Sequence, residues 1–255
     1  MTSDIPLHID SLHQAYGRGT RVNEVLQQCH QRLQDANDPG IFLTLSSEAQ
    51  IAEQLASLGP FDPDLKPLWG VPYAVKDNID VLGLPTSAAC PAFSYQPEKD
   101  AHVVTILRDA GAICLGKTNM DQFATGLTGV RTPHSIPRNP IDDSLIPGGS
   151  SSGSAVAVAL GIVAFALGTD TAGSGRVPAA LNNIVGIKPS LGALSNSGVV
   201  PACRSLDSVS IFSLSVLDGN KVRALLSRYD ESDPFSRPMG QSWQPSSLVP
   251  SPIRR

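Results

Sequence analysis

A chain of 255 residues exceeds the roughly 100–200 residues of a usual single domain, so one large domain or one and a half smaller ones is expected. A hydrophobic fraction of 41% and a formal charge of −4 exclude a solvated polyelectrolyte and argue against a general nucleic-acid or anionic-membrane surface. The 22 glycines and 21 prolines, with no collagen-like period, predict a loop-rich fold of enzyme size.

The four cysteines, Cys29, Cys90, Cys114 and Cys203, form no C-x-x-C pair, so neither a metal site nor a disulfide framework is indicated. With no basic-then-apolar opening, the first residues do not read as a signal peptide, and a cytoplasmic location is expected. The longest apolar stretch, residues 155–168, falls short of the roughly 20 residues a spanning helix needs, and no membrane segment is read.

In chain order, Val22, Val25, Leu26, Cys29 and Leu33 fall at steps of three and four and predict an amphipathic helix. Ser47 and Gln50 have capping-box spacing before Ile51, Leu55 and Leu58, which predicts a second helix stopped by Gly59 and Pro60. Residues 1–67 therefore read as a helical lead-in, closed by a Pro- and Asp-rich segment that cannot continue a helix. Beyond it, strands are predicted over 71–75, 112–115, 162–167 and 209–214, with helices over 101–110 and 151–160. Helices alternating with short buried strands argue for an α/β fold whose sheet is covered on both faces. Residues 68–229 form this core, and the Pro/Ser-rich segment 230–255 is expected to be mobile or loosely docked, since it buries too little to offset its ordering entropy.

Three motifs invite a functional reading. Residues 111–118 satisfy the phosphate-loop pattern G-x-x-x-x-G-K-S/T, yet a predicted helix precedes Gly111 and the four intervening residues look like a buried strand. A nucleotide binder is thus the weaker alternative. Residues 149–153 formally match the G-x-S-x-G nucleophile elbow, but Gly and Ser alone also make an ordinary turn, and none of His8, His13, His30, His102 and His134 suits a Ser-His-Asp triad. The third is a pair of Ser/Gly loops, PGGSSSG from Pro147 and GTDTAGSGRVP from Gly168, flanking one helix–strand unit. Amides of the second loop could converge on a developing oxyanion, while plain connecting loops remain the bland account. Lys76 ends a predicted buried strand. Lowering its pKa from near 10.4 to about 7–8, where it can act as a base, represents about 4 kcal/mol of desolvation, whereas snorkelling to solvent would leave it ordinary.

The segments GVPYAVKDNIDVLGLPTSAAC from Gly70, GAICLGKTNMDQFATG from Gly111, GGSSSGSAVAVALG from Gly148, GTDTAGSGRVPAA from Gly168 and NNIVGIKPS from Asn182 resemble the amidase signature family over residues 68–214. The resemblance implies a mixed sheet covered by helices and a Ser-Ser-Lys triad with Ser174 as nucleophile, Ser150 as bridging serine and Lys76 as ultimate base. It implies a cis peptide at Gly149–Ser150, an oxyanion hole from the amides of Thr171, Ala172, Gly173 and Ser174, and loop-organising roles for Asp170 and Arg176. It calls for no metal and no other cofactor, a small amide substrate and, as in many members, a homodimer.

Within the family, TAGSGRVPAA and GVVPACRSLDSVSIF from Gly198 are most similar to the allophanate hydrolase branch, which implies ammonia release in urea degradation; a general amidase is the alternative. Family catalytic domains run well beyond 255 residues, and residues after Pro238 no longer look like the family. The chain therefore reads as the N-terminal portion of such an enzyme, with an inactive remnant kept open beside the active reading.

Overall fold

In the computed structural model, which describes residues 5–238, the amphipathic stripe seen in the sequence becomes helix α2, Val22–Ala36, preceded by α1, Ile9–Gly17. The predicted capping box starts α3, Glu48–Ala56: Ser47 Oγ accepts from the Gln50 amide at 3.2 Å and Gln50 Oε1 accepts from the Ser47 amide at 2.8 Å. The first 67 residues are not wholly helical, however. Phe42–Leu45 forms strand β1, whose four half-exposed residues carry no alternation and owe their extended form to pairing with a later strand.

The core strands are β2, Pro72–Lys76, and β3, Ile113–Thr118, joined through helix α4, His102–Asp109. Helix α5, Ser152–Ala159, leads into β4, Phe165–Thr169. This strand starts three residues later than the apolar pattern suggests, because Gly161 at φ 62° ends α5 and residues 162–164 are spent in the turn. Two short elements, α6, Arg176–Leu181, and β5, Val185–Ile187, are followed by β6, Val209–Ser213, and α7, Val216–Leu226, which Ser215 caps.

The six strands form one mixed sheet in the order β1-β3-β2-β4-β6-β5, with β2 parallel to both β3 and β4 and the other pairs antiparallel. Both faces are covered, as the alternation of side chains requires. Tyr73, Val75, Phe165, Leu167, Val209 and Ile211 join residues of α1, α2, α4 and α7 in the larger core, with Tyr73 stacked on Phe165 at 5.2 Å. Ala74, Ala166 and Phe212 point the other way, against α5 and Ala179 of α6. Small side chains on that face let α5 approach closely: a Cβ on Gly153 would overlap the backbone of Ile41 and Asn119.

Residues 230–238, read from the sequence as part of a loosely held tail, are instead tied down. Asp230 Oδ2 accepts from Ser195 Oγ at 2.5 Å, Asp233 Oδ2 accepts from the Asn196 amide at 2.7 Å, and the Arg237 amide donates to Gly192 O at 2.9 Å. Polar anchoring replaces the apolar burial the segment lacks. The remainder of the expected tail, from residue 239, lies outside the described residues. Among the described residues, no helix is long and apolar enough to cross a membrane.

Candidate active site

The central strands β2 and β4 run parallel, with Val75 opposite Leu167, so their carboxyl ends bring Lys76 and Thr169 to the same edge of the sheet. Chain order changes direction here, since β3 and β4 flank β2 on opposite sides, and α/β sheets place their sites at such points. Lys76 is fully buried. Its Nζ lies 2.7 Å from Ser150 Oγ, 2.8 Å from Thr169 Oγ1 and 3.5 Å from Thr169 O. Burial lowers its pKa to about 7, against the opposing pull of Asp121, Asp170 and Asp207. Snorkelling to solvent, the bland sequence reading, is therefore ruled out.

Ser150 is delivered by the loop before α5. The Gly149–Ser150 peptide is cis, the Gly149 amide donates to Leu127 O at 2.8 Å, and Ser150 O accepts from the Asp121 amide at 3.0 Å. Only glycine fits at position 149, where a Cβ would overlap the Asp121 carboxylate and the Gly129 amide. Asp121 also binds the amides of Gly129 (3.0 Å) and Arg131 (2.7 Å), so one carboxylate ties the 126–131 segment to the Ser150 loop.

Ser174 lies in the loop after β4, and the Ser151 amide donates to its carbonyl at 3.3 Å. Its Oγ donates to Gly126 O at 3.4 Å. The loop winds around the buried Asp170, whose carboxylate accepts from the amides of Gly173 (2.8 Å), Gly175 (3.0 Å) and Arg176 (3.1 Å) and from the Arg176 guanidinium at 3.0 and 3.1 Å. Burial pushes the Asp170 carboxyl up, but these bonds, led by the Arg176 side chain, outweigh it and hold its pKa at about 2.

This arrangement corrects one expectation. The Gly173 amide is consumed by Asp170 and cannot serve an oxyanion, because a carboxylate sits inside the turn that glycine's φ of 141° creates. The amides of Thr171, Ala172 and Ser174 meet no protein acceptor among the described residues. Thr171 is held through its side chain, which donates a short hydrogen bond to Asp207. Asp207 in turn accepts from the amides of Ala202 and Cys203.

The phosphate-loop alternative is overturned. Residues 113–118 are strand β3, preceded by helix α4, and Lys117 is fully buried against Asp77, Pro85 and Thr86, leaving no open cradle of amides. Among the described residues no histidine bonds to Ser150 or Ser174, and no cluster of His, Cys, Asp or Glu could hold a metal ion. Sequence reasoning missed Thr169, Asp121 and Asp207. All three lie inside the motifs that carried the resemblance, but only folding shows which groups they face.

The mixed α/β sheet thus presents a buried, desolvated lysine to a serine hydroxyl at the ends of its central strands. Residues 24–252 match the amidase family. The chain belongs to that family, and the match extends beyond the 68–214 segment and past Pro238, where the sequence reading saw no likeness. It is 60% identical over 173 residues to urea amidolyase of Saccharomyces cerevisiae, covering 68% of this chain and 9% of that protein. The solved structure of Kluyveromyces lactis allophanate hydrolase superposes with a TM-score of 0.83 at 44% identity, covering 93% of this chain and 39% of that one. The peptide amidase of Stenotrophomonas maltophilia superposes with a TM-score of 0.83 at 34% identity, covering 92% of this chain and 50% of that one. The chain thus spans no more than half the length of each of these relatives.

Proposed function

We propose that the chain carries the catalytic core of an amide hydrolase of the allophanate hydrolase kind, using Lys76, Ser150 and Ser174. The observation that carries this reading is the 2.7 Å contact between the fully buried Lys76 Nζ and Ser150 Oγ, with the amine lowered to about 7. A neutral lysine has two N–H donors and one lone pair. Thr169 Oγ1 and Thr169 O accept the two hydrogens, which turns the lone pair to the Ser150 hydroxyl.

In this mechanism Ser174 Oγ leaves Gly126 O, gives its proton to Ser150 Oγ and attacks the amide carbon, while Ser150 passes its own proton to Lys76 Nζ. The amides of Thr171, Ala172 and Ser174 stabilise the oxyanion of the tetrahedral intermediate. Its collapse breaks the C–N bond, and the proton returns from Lys76 through Ser150 to the departing nitrogen, releasing ammonia. Water, deprotonated by the same relay, then cleaves the acyl–Ser174 ester.

The identity with urea amidolyase and the superposition on allophanate hydrolase support allophanate as the substrate and urea degradation as the setting. The wide spacing of the four cysteines, with no C-x-x-C pair, supports a reducing, cytoplasmic compartment. A homodimer remains part of the proposal by family likeness alone.

The test is ammonia release by the purified 255-residue chain from allophanate and, separately, from simple aliphatic amides. Turnover of allophanate that vanishes in Ser174→Ala upholds the proposal; preference for the simple amides makes the chain a general amidase. A folded chain inert towards both is a non-catalytic relative.

A further inference from the structure

Amides left without a protein acceptor need something else to fix their direction, and for Thr171 and Ala172 the carbonyl side of the loop supplies it. Lys188 Nζ lies 3.0 Å from Asp170 O, 3.4 Å from Thr171 O and 3.6 Å from Asp170 Oδ1. Carbonyl oxygens only accept, so the lysine amine is the donor in both hydrogen bonds. Asp170 O accepts a second time, from the Ser208 amide at 3.2 Å.

The sheet topology delivers this lysine. Strands β4 and β5 both run antiparallel to β6, which lies between them, so the two leave the sheet at the same end. Lys188 follows Ile187, the last residue of β5, as Asp170 follows Thr169, the last of β4. The Lys188 side chain, one-fifth exposed, spans the start of β6 to reach the loop after β4.

Peptide planarity converts this anchoring into a direction. Among the described residues the cis bond is Gly149–Ser150, so the peptides of this loop are trans, with each N–H pointing opposite to its C=O. Asp170 O shares a peptide with the Thr171 amide, and Thr171 O shares one with the Ala172 amide. Holding both carbonyls on one amine turns both amides to the other side of the loop, where neither meets a protein acceptor among the described residues. The Gly173 amide is held differently, by the Asp170 carboxylate. Hydrogen bonds in series also polarise one another, so a peptide whose carbonyl accepts presents a stronger N–H donor.

Resting on the reading of these amides as oxyanion donors, we propose that Lys188 is a positioning residue for the oxyanion hole: by binding the carbonyls of Asp170 and Thr171 it aims and polarises the amides of Thr171 and Ala172. It acts through the backbone and not on the substrate. The Asp170 carboxylate organises the loop from within, and Lys188 holds it from behind.

The experiment compares the full chain with Lys188→Met by two measurements. Backbone ¹⁵N shifts respond to a hydrogen bond on the carbonyl of the same peptide, so the Thr171 and Ala172 signals should move upfield. Those of Gly173, Gly175 and Arg176, whose amides bind the Asp170 carboxylate, should stay in place. In ammonia release, kcat should fall about tenfold with KM nearly unchanged, less than the roughly 10²–10³-fold cost of losing an oxyanion donor outright. Movement of all five signals together would mean that the loop has merely come loose. That result, unmoved Thr171 and Ala172 signals, or an unaltered kcat in an active chain each overturn the proposal. If Lys188→Met fails to fold, Lys188→Arg, which keeps N–H donors at the same place, should retain both the shifts and kcat, and loss of either overturns it. The ¹⁵N readout needs no turnover. A parent chain inert towards amides therefore defeats the hydrolase reading, while the shifts still decide whether Lys188 governs the two peptides.

Discussion

Lys76 Nζ and Thr169 Oγ1 meet at 2.8 Å across the ends of two adjacent parallel strands, and Asn78 Nδ2 donates to the same hydroxyl at 3.3 Å. Thr169 Oγ1 thereby accepts twice, which orients the amine rather than merely accommodating it. Thr169→Val keeps the shape but removes the acceptor. Its kcat should fall about 100-fold, a base misdirected rather than lost, with KM nearly unchanged. Steady-state ammonia release measures both, and an unaltered kcat would remove Thr169 from the site.

In the proposed mechanism, the titration of Lys76 sets the pH dependence. The base is active only when neutral, so kcat/KM should rise through about pH 7, falling tenfold for each unit below it. A profile flat from pH 5 to 9 would contradict a lysine base.

Stability carries the same signature with a defined sign. The folded pKa of about 7 lies below the ordinary value of 10.5, so between these values the unfolded chain binds the extra proton and stability rises with pH. Below pH 7 the burial penalty is constant. Lys76→Met, which removes it, should abolish turnover and raise the thermal midpoint at pH 6 by several degrees. Thermal unfolding followed by circular dichroism decides this.

Ser174 tests the nucleophile. Ser174→Ala should lower kcat by on the order of 10⁴ while leaving unfolding unchanged, because among the described residues Ser174 Oγ makes a single 3.4 Å bond, to Gly126 O. A variant that lost activity only in proportion to lost structure would point elsewhere.

Asp170 should behave in the opposite way to Ser174. Replacing it with Ala strips three amides and the Arg176 guanidinium of their acceptor and should destabilise the fold by about 3 kcal/mol. Because its folded pKa of about 2 is depressed, its contribution is present above the ordinary carboxylate value near 3.8 and fades as pH falls towards 2. Urea unfolding at pH 7 and pH 3 should show the gap between parent and Asp170→Ala narrowing at the lower pH.

Local chemistry was readable along the chain. The Ser47–Gln50 capping box and the α2 stripe depend on residues within a few positions of one another, and sequence spacing records such relations. Lys76, Ser150 and Ser174 were nominated by motif context. Beyond that, only the tertiary structure decided. Whether 42–45 is a strand rests on β3, more than 70 residues away; whether the Gly173 amide is free rests on where Asp170 folds back; and whether Lys76 is desolvated rests on how completely β2, β4 and the Ser150 loop exclude water from it. Hydrogen-bond pairing between distant strands and the desolvation of a charge are properties of three-dimensional proximity, and no local pattern of residues encodes them.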